Sequence, residues 1–253
     1  MPPLLSAVLI VRNEEANLAD CLASVRDIVD EIVVLDSGST DATVAVAERF
    51  GARVATRPFD GFGRQKQAAL QRATGQWILS IDADERVTPA LAREIARVVR
   101  DPGGADGYWV RRTMVYLGRR LRFGGAGSEW ILRLARRDRA RFAPLAVHEH
   151  LIVEGRTERL RGALDHIKYR DLREHIDTIN GYTELAADRK RAVGRRFSML
   201  HYVRLEWEIA SRLIFKLGIL DGRAGVIHAV MAGFYAFVQY AKLWRPAPRA
   251  PGE

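Results

Sequence analysis

One cysteine in 253 residues, Cys21, excludes an internal disulfide and fits a reducing compartment. Its place on the apolar side of a predicted helix makes it a small buried residue. The sequence has no Gly-Lys pair, so it has no phosphate-binding P-loop. It also lacks G-x-G-x-x-G after the first predicted strand, because Gly61-Phe-Gly63 runs on to Lys66 where the third glycine would stand. These absences argue against a P-loop NTPase and a dinucleotide dehydrogenase. No apolar run reaches the ~20 residues of a membrane span. Residues 4–11 are apolar, but no basic segment precedes them and no small-residue cleavage site follows, so they read as a strand rather than a signal peptide.

Positive charge is abundant. The formal net charge is +9, and ten arginines lie between Arg111 and Arg141 against only Glu129 and Asp138. A second basic stretch runs through Arg189, Lys190, Arg191, Arg195 and Arg196. Such patches attract phosphate, whether of nucleic acid, anionic lipid or a phosphorylated glycolipid. Nucleic acid is not expected as a partner, because no recognition helix or aromatic platform accompanies the basic run.

The first hundred residues alternate strand and helix, which predicts an α/β fold with a mostly parallel sheet flanked by helices. Thr88 is a plausible N-cap, with Pro89 at the first helical position. Residues 106–160 read as shorter strands between glycine- and arginine-rich turns, making the sheet mixed. From Asp171 the chain reads as helices over 171–192, 198–217 and 222–243. The expected division is a nucleotide-binding domain at 1–170, a helical acceptor or membrane-interface region at 171–245 and a flexible tail at 246–253. Residues 225–241 contain no formally charged side chain and end among aromatics. They read as a helix lying in the membrane interface, with a buried hairpin as the alternative.

Ligands bind beyond the carboxyl ends of strands in such sheets. Three segments fall there: Asn13-Glu14-Glu15; Asp36-Ser37-Gly38-Ser39-Thr40-Asp41; and Asp82-Ala83-Asp84-Glu85. Asp36 can accept hydrogen bonds from a ribose or base, or it can simply build a turn. Asp82 and Asp84, two apart on a chain expected to be extended, would converge and hold Mg²⁺ or Mn²⁺, which would also grip a pyrophosphate.

The segments LSAVLIVRNEEANLADCL, VVLDSGSTDAT and ILSIDADERVTPAL resemble, in order, those of a family 2 glycosyltransferase of the GT-A fold. GFGRQKQAAL, VHEHL and FKLGILDGRAG extend the resemblance to the lipopolysaccharide-core β-glucosyltransferase branch. The resemblance implies a nucleotide-sugar site in which Asn13 and Glu14 help hold the nucleoside and Asp36 contacts uracil or ribose. It places Lys66 near the phosphates, and it makes Asp82 and Asp84 the family's D-x-D, with Asp84 the direct metal ligand.

An inverting transfer also needs a carboxylate, from another segment, to take the acceptor hydroxyl's proton. Glu149 is the candidate and Glu129 the reserve. His148 and His150 flank Glu149 without a third ligand nearby and read as structural rather than as a zinc site. His166 either completes the metal site or packs at the head of the helical region. The expected donor is UDP-glucose. The expected acceptor is a glycolipid or phosphorylated saccharide, such as the heptose of a lipopolysaccharide inner core. The expected location is cytoplasmic, peripheral to the inner membrane, in contact with its anionic surface. A sugar-phosphate nucleotidyltransferase would need a glycine-rich phosphate loop in place of Val11–Glu15. A non-catalytic basic membrane module with a degenerate nucleotide-sugar site would not need Asp82, Asp84 and Glu149.

Overall fold

The computed structural model describes residues 4–143 and 150–244. The chain begins with β1 (Leu5–Val11), α1 (Glu15–Val25), β2 (Glu31–Asp36), α2 (Thr43–Arg49), β3 (Arg53–Thr56), α3 (Phe62–Arg72) and β4 (Trp77–Ser80). β3, β2, β1 and β4 lie side by side and parallel, with β1 in register against both β2 and β4. Along β1, Leu5, Ala7, Leu9 and Val11 pack with Leu18, Cys21, Leu22 and Val25 of α1. The alternate residue Val8 packs with Ala68, Ala69 and Leu70 of α3 on the other face. Burial on both faces explains the continuous apolar run in the sequence. Cys21 is fully buried, and that burial pushes its thiol pKa upward.

The chain continues through β5 (Glu85–Val87), α4 (Pro89–Val98), β6 (Gly107–Tyr116), β7 (Arg119–Arg120), β8 (Ser128–Arg136), β9 (Ala140–Phe142), β10 (Leu151–Val153) and β11 (Thr157–Tyr169). Thr88 caps α4, its hydroxyl accepting from the Leu91 amide at 3.3 Å. The sheet order is β3-β2-β1-β4-β8-β6-β11-β5, with β7 beside β6 and antiparallel pairing at β4–β8, β8–β6 and β11–β5. β9 and β10 form a separate antiparallel pair. Three strands therefore separate β4 from β5, although only residues 81–84 connect them. So short a link forces this half of the sheet to curl, turning residues of β8, β6 and β5 toward one interior.

Two compact units emerge: 1–113 with 128–167, and 114–127 with 168–253. The glycine- and arginine-rich excursion at 114–127 thus belongs with the helices rather than with the sheet that precedes it. In that second unit lie α5 (Leu172–Ala192), α6 (His201–Ala210), a π-helical turn (Ser211–Phe215), a 3-10 turn (Gly218–Asp221) and α7 (Gly222–Ala241). Asp171 caps α5, accepting from the Glu174 amide at 2.8 Å. The buried Tyr116 hydroxyl pairs with His175 Nδ1 at 2.9 Å, and Tyr169 stacks on the same imidazole. Asp221 accepts from the amides of Arg122 and Phe123, and Arg212 donates to the Gly124 carbonyl, pinning the excursion to the helices. The stretch Gly218–Ala241 is long and apolar enough to cross a membrane by length and composition. Its small residues Ala224, Gly225, Ala229 and Gly233 are nevertheless buried. A Cβ added at Gly233 would come within 2.6 Å of the Ile209 side chain, so glycine there lets α6 approach closely.

Gly162 on β11 carries a comparable constraint in the first unit. A Cβ there would lie 2.5 Å from Leu91 Cα and 2.6 Å from Leu91 N, backbone atoms that cannot swing aside. Gly162→Ala is expected to lower stability by about 2 kcal/mol through overpacking, read as a lower urea midpoint. An unchanged midpoint would mean that α4 is free to shift.

Candidate functional site

The loops after β1 and β2 lock onto each other. Asn13, held at φ 55°, donates its amide to Ser39 Oγ at 2.9 Å and accepts the Thr40 amide on Oδ1 at 2.8 Å. The Glu14 amide donates to Thr43 Oγ1 at 2.7 Å. The Glu15 carboxylate accepts the Ala42 amide, and Asp41 accepts the amides of Glu15 and Thr43. Asp36 is almost fully buried, and its carboxylate accepts from the amides of Gly38 at 2.9 Å and Ser39 at 3.0 Å. Building this turn is therefore its visible work, and Gly38 supplies the positive φ that the turn requires.

Residues 82–85 are not extended, as the sequence argument assumed. They form a turn in which the Glu85 amide donates back to the Asp82 carbonyl at 2.9 Å. The two aspartates consequently face different partners. Asp82 is clasped by Lys66 Nζ at 2.9 Å and by Arg133 Nη2 at 2.5 Å. Asp84 meets His166 Nε2 at 3.0 Å, because β11 pairs with β5 and sets His166 opposite Glu85. His166 thus lies at the acidic turn, on a strand, rather than packed at the head of the helices.

Beneath the turn sits Glu85, wholly excluded from solvent. One carboxylate oxygen accepts the Asp82 amide at 3.0 Å, while the other takes Arg133 at 2.7 Å and Arg112 at 3.3 Å. Arg112 also pairs with Glu129. A lone buried carboxylate would cost several kcal/mol, so these cations compensate the burial of Glu85. Burial favours the neutral form of Asp82, but Arg133 and Lys66 outweigh it and hold this carboxyl well below its ordinary pKa. Burial works against the Arg133 charge too, and Asp82 with Glu85 reverses that and raises its pKa. Glu14 moves the other way: burial raises its pKa despite a hydrogen bond from Asn17, and Asp84, Asp41 and Asp82 add to the rise.

Sequence reasoning did not assign roles to Glu85, Arg133 and Arg112. A signal for Arg133 was present, since it interrupts the apolar run Ile131-Leu132-Arg133-Leu134-Ala135, where a charge demands a buried partner. A cavity of about 440 Å³ opens beside this cluster, lined by Lys66, Asp82, Arg112 and Arg133 together with Trp109, Trp130, Glu129 and His150. The candidate base Glu149, with His148, lies outside the described residues. Glu129, the reserve, lines the cavity in its pair with Arg112.

A divalent cation is implied by the fold, and the donor set fits one. Asp84 and His166 offer a carboxylate oxygen and an imidazole nitrogen at one point. Among the described residues no group of three or more His, Cys, Asp or Glu gathers to hold a metal. Two protein donors nonetheless suffice for an ion that takes its other ligands from water and substrate phosphates. The carboxylates around Glu14 add a negative potential that favours a cation. Asp82 has one carboxylate oxygen paired with Lys66 and the other with Arg133.

The family model described as Glycosyl transferase family 2 matches residues 6–150, the portion that holds both the loops and the acidic turn. The chain belongs to this family. Lipopolysaccharide core biosynthesis glycosyltransferase LpsC of Rhizobium meliloti is 32% identical over 249 residues, covering 95% of this chain and 92% of that protein. An uncharacterized glycosyltransferase of Rickettsia typhi is 26% identical, covering 94% and 86%. Among solved structures, glucosyl-3-phosphoglycerate synthase from Mycobacterium tuberculosis in complex with phosphoglyceric acid is 24% identical with a TM-score of 0.46, covering 67% of this chain and 74% of that one. This glycosyltransferase accordingly has the GT-A nucleotide-sugar architecture and is related to an enzyme of lipopolysaccharide core biosynthesis.

In this glycosyltransferase Arg133 is the cation shared by the half-buried Asp82 and the buried Glu85. Arg133→Met keeps the bulk but leaves Glu85 with Arg112 alone. Stability is expected to fall by about 3 kcal/mol, measured by urea unfolding. A loss below about 0.5 kcal/mol, the range of an ordinary surface substitution, would show that the guanidinium does not sustain the buried charge.

Proposed function

We propose that the protein transfers a hexose, glucose from UDP-glucose, with inversion onto a lipid-linked acceptor such as the heptose of a lipopolysaccharide inner core. The observation that carries the donor half is the acidic turn after β4, where Asp84 faces His166 while Asp82 is clasped by Lys66 and Arg133. The relationship to LpsC across nearly the whole chain supports the acceptor half.

In this reading the interlocked loops hold the nucleoside. Asn13 and Glu14 shape its pocket, and Asp36 fixes the turn against which uracil or ribose rests. Mg²⁺ or Mn²⁺, held by Asp84 and His166, would supply the charge that the diphosphate needs as it departs. Lys66 already stands at the same corner as positive charge for the leaving group, and its pair with Asp82, which Arg133 also holds, keeps it oriented before substrate arrives. Glu149 takes the proton from the acceptor hydroxyl as that oxygen attacks the anomeric carbon. It precedes His150, which lines the cavity beside Lys66 and Asp82. A lipid-linked acceptor places the enzyme on the cytoplasmic side of the inner membrane, attached peripherally.

A panel of nucleotide sugars tests the donor assignment. Slow release of UDP from UDP-glucose is expected with Mn²⁺ or Mg²⁺, lost in EDTA. It should fall at least about a hundredfold in Asp84→Ala. Absence of both hydrolysis and calorimetric binding for every donor would overturn the reading and favour a non-catalytic module.

A further inference from the structure

Between Met199 and Leu220 the second unit turns its large apolar side chains outward. Met199, Leu200, Trp207, Ile214, Phe215 and Leu220 are between 60% and 76% exposed. This is not a helix lacking a packing face. The inner side of α6 is already occupied, with Leu205 and Ile209 lying against Gly233 of α7, and yet no residue of α6 is buried. An apolar outer face in addition to an apolar inner one needs a second environment to cover it. The Trp207 and Phe215 rings stand 5.7 Å apart, so the π-helical turn continues the patch begun on α6.

The rim of this patch is basic. Arg195, Arg196, Lys216 and Arg223 are exposed on the same stretch of chain, and Arg204, also exposed, lies over the Tyr240 ring. Of the nearby acids, Asp221 turns its carboxylate to the amides of Arg122 and Phe123, Glu208 pairs with Arg212, and Glu184 and Asp188 pair with Arg191, while Glu206 is exposed on α6. A two-fold contact with a second copy would press the same basic rim against itself. A bilayer carrying anionic lipid satisfies both parts: hydrocarbon for the aliphatic and aromatic side chains, headgroup phosphates for the cations.

We infer that α6 and the turns following it, residues 199–220, form a membrane-docking surface that inserts its apolar side chains into the interface of an anionic bilayer. The sequence pointed instead to 225–241. That stretch lies in α7, which packs its small residues inward and exposes Val226, Val230, Phe234 and Tyr235 by only 38% to 44%. The docking surface stands apart from the donor-site reading, since none of its residues contributes to that site.

Flotation of the full chain with vesicles tests this inference. Phosphatidylcholine mixed with phosphatidylglycerol should capture the protein, and phosphatidylcholine alone should capture much less. Capture should weaken as salt rises. Trp207→Ser with Phe215→Ser, and separately Arg195→Ser with Arg196→Ser, should each lower partitioning by about tenfold or more. Circular dichroism and UDP binding should be unchanged in both variants, since all four side chains are exposed. Undiminished capture of both variants, or capture indifferent to salt, would move the contact to α7 and overturn the inference. So would a dimer in size exclusion that Trp207→Ser with Phe215→Ser dissolves.

Discussion

The site depends on a buried charge balance: the Glu85 carboxylate, shut away from water, shared between Arg133 and Arg112 and holding the amide of Asp82. Without its cations Glu85 would be a buried carboxylate with no charged partner, and the turn after β4 would lose its anchor. With them, Asp82 is fixed as an ionised carboxylate between Lys66 and Arg133, and Asp84 is left to face His166. The two aspartates of one motif thus acquire different work. Asp82 organises positive charge, and Asp84 pairs with His166.

That balance is a product of topology. The link between β4 and β5 is too short to let the intervening strands lie flat, so the sheet curls. Curling lets Arg133 from β8, Arg112 from β6 and His166 from β11 reach one four-residue turn. The parallel half contributes differently. Its first two loops bond to each other through Asn13, Ser39, Asp41 and Thr43, giving a rigid ledge beside the acidic turn.

The parallel half was legible in the sequence because its signals are local. A strand buried on both faces is a continuous apolar run, and Thr88-Pro89 before an amphipathic stretch is a local helix-start signal. The family, too, could be read from motifs in order. What escaped was set by distant pairing. The conformation of 82–85 follows from β5 joining β11, which no spacing within the motif reveals. The ten arginines of 111–141 read as one phosphate-attracting patch, yet several are committed internally. Arg112 and Arg133 serve Glu85, Arg136 lies over Trp77, and Arg137 donates to the Gly75 carbonyl. Summed charge does not distinguish a cation offered to a ligand from one spent on a buried carboxylate. The apolar character of 225–241 was likewise real, but only packing shows that α6 and its turns carry the more exposed surface.

Calorimetric titration of UDP with Mn²⁺ into wild type and Glu85→Gln tests the central claim most directly. Glutamine keeps the shape of Glu85 and removes the charge that balances Arg133, so Asp82 and its cations lose their fixed arrangement. A drop in affinity of about tenfold or more is expected, of the size seen when groups supporting a metal's ligands are removed, with the fold retained by circular dichroism. Equal affinity in the two proteins would contradict the account and show that the donor corner is organised without the buried carboxylate.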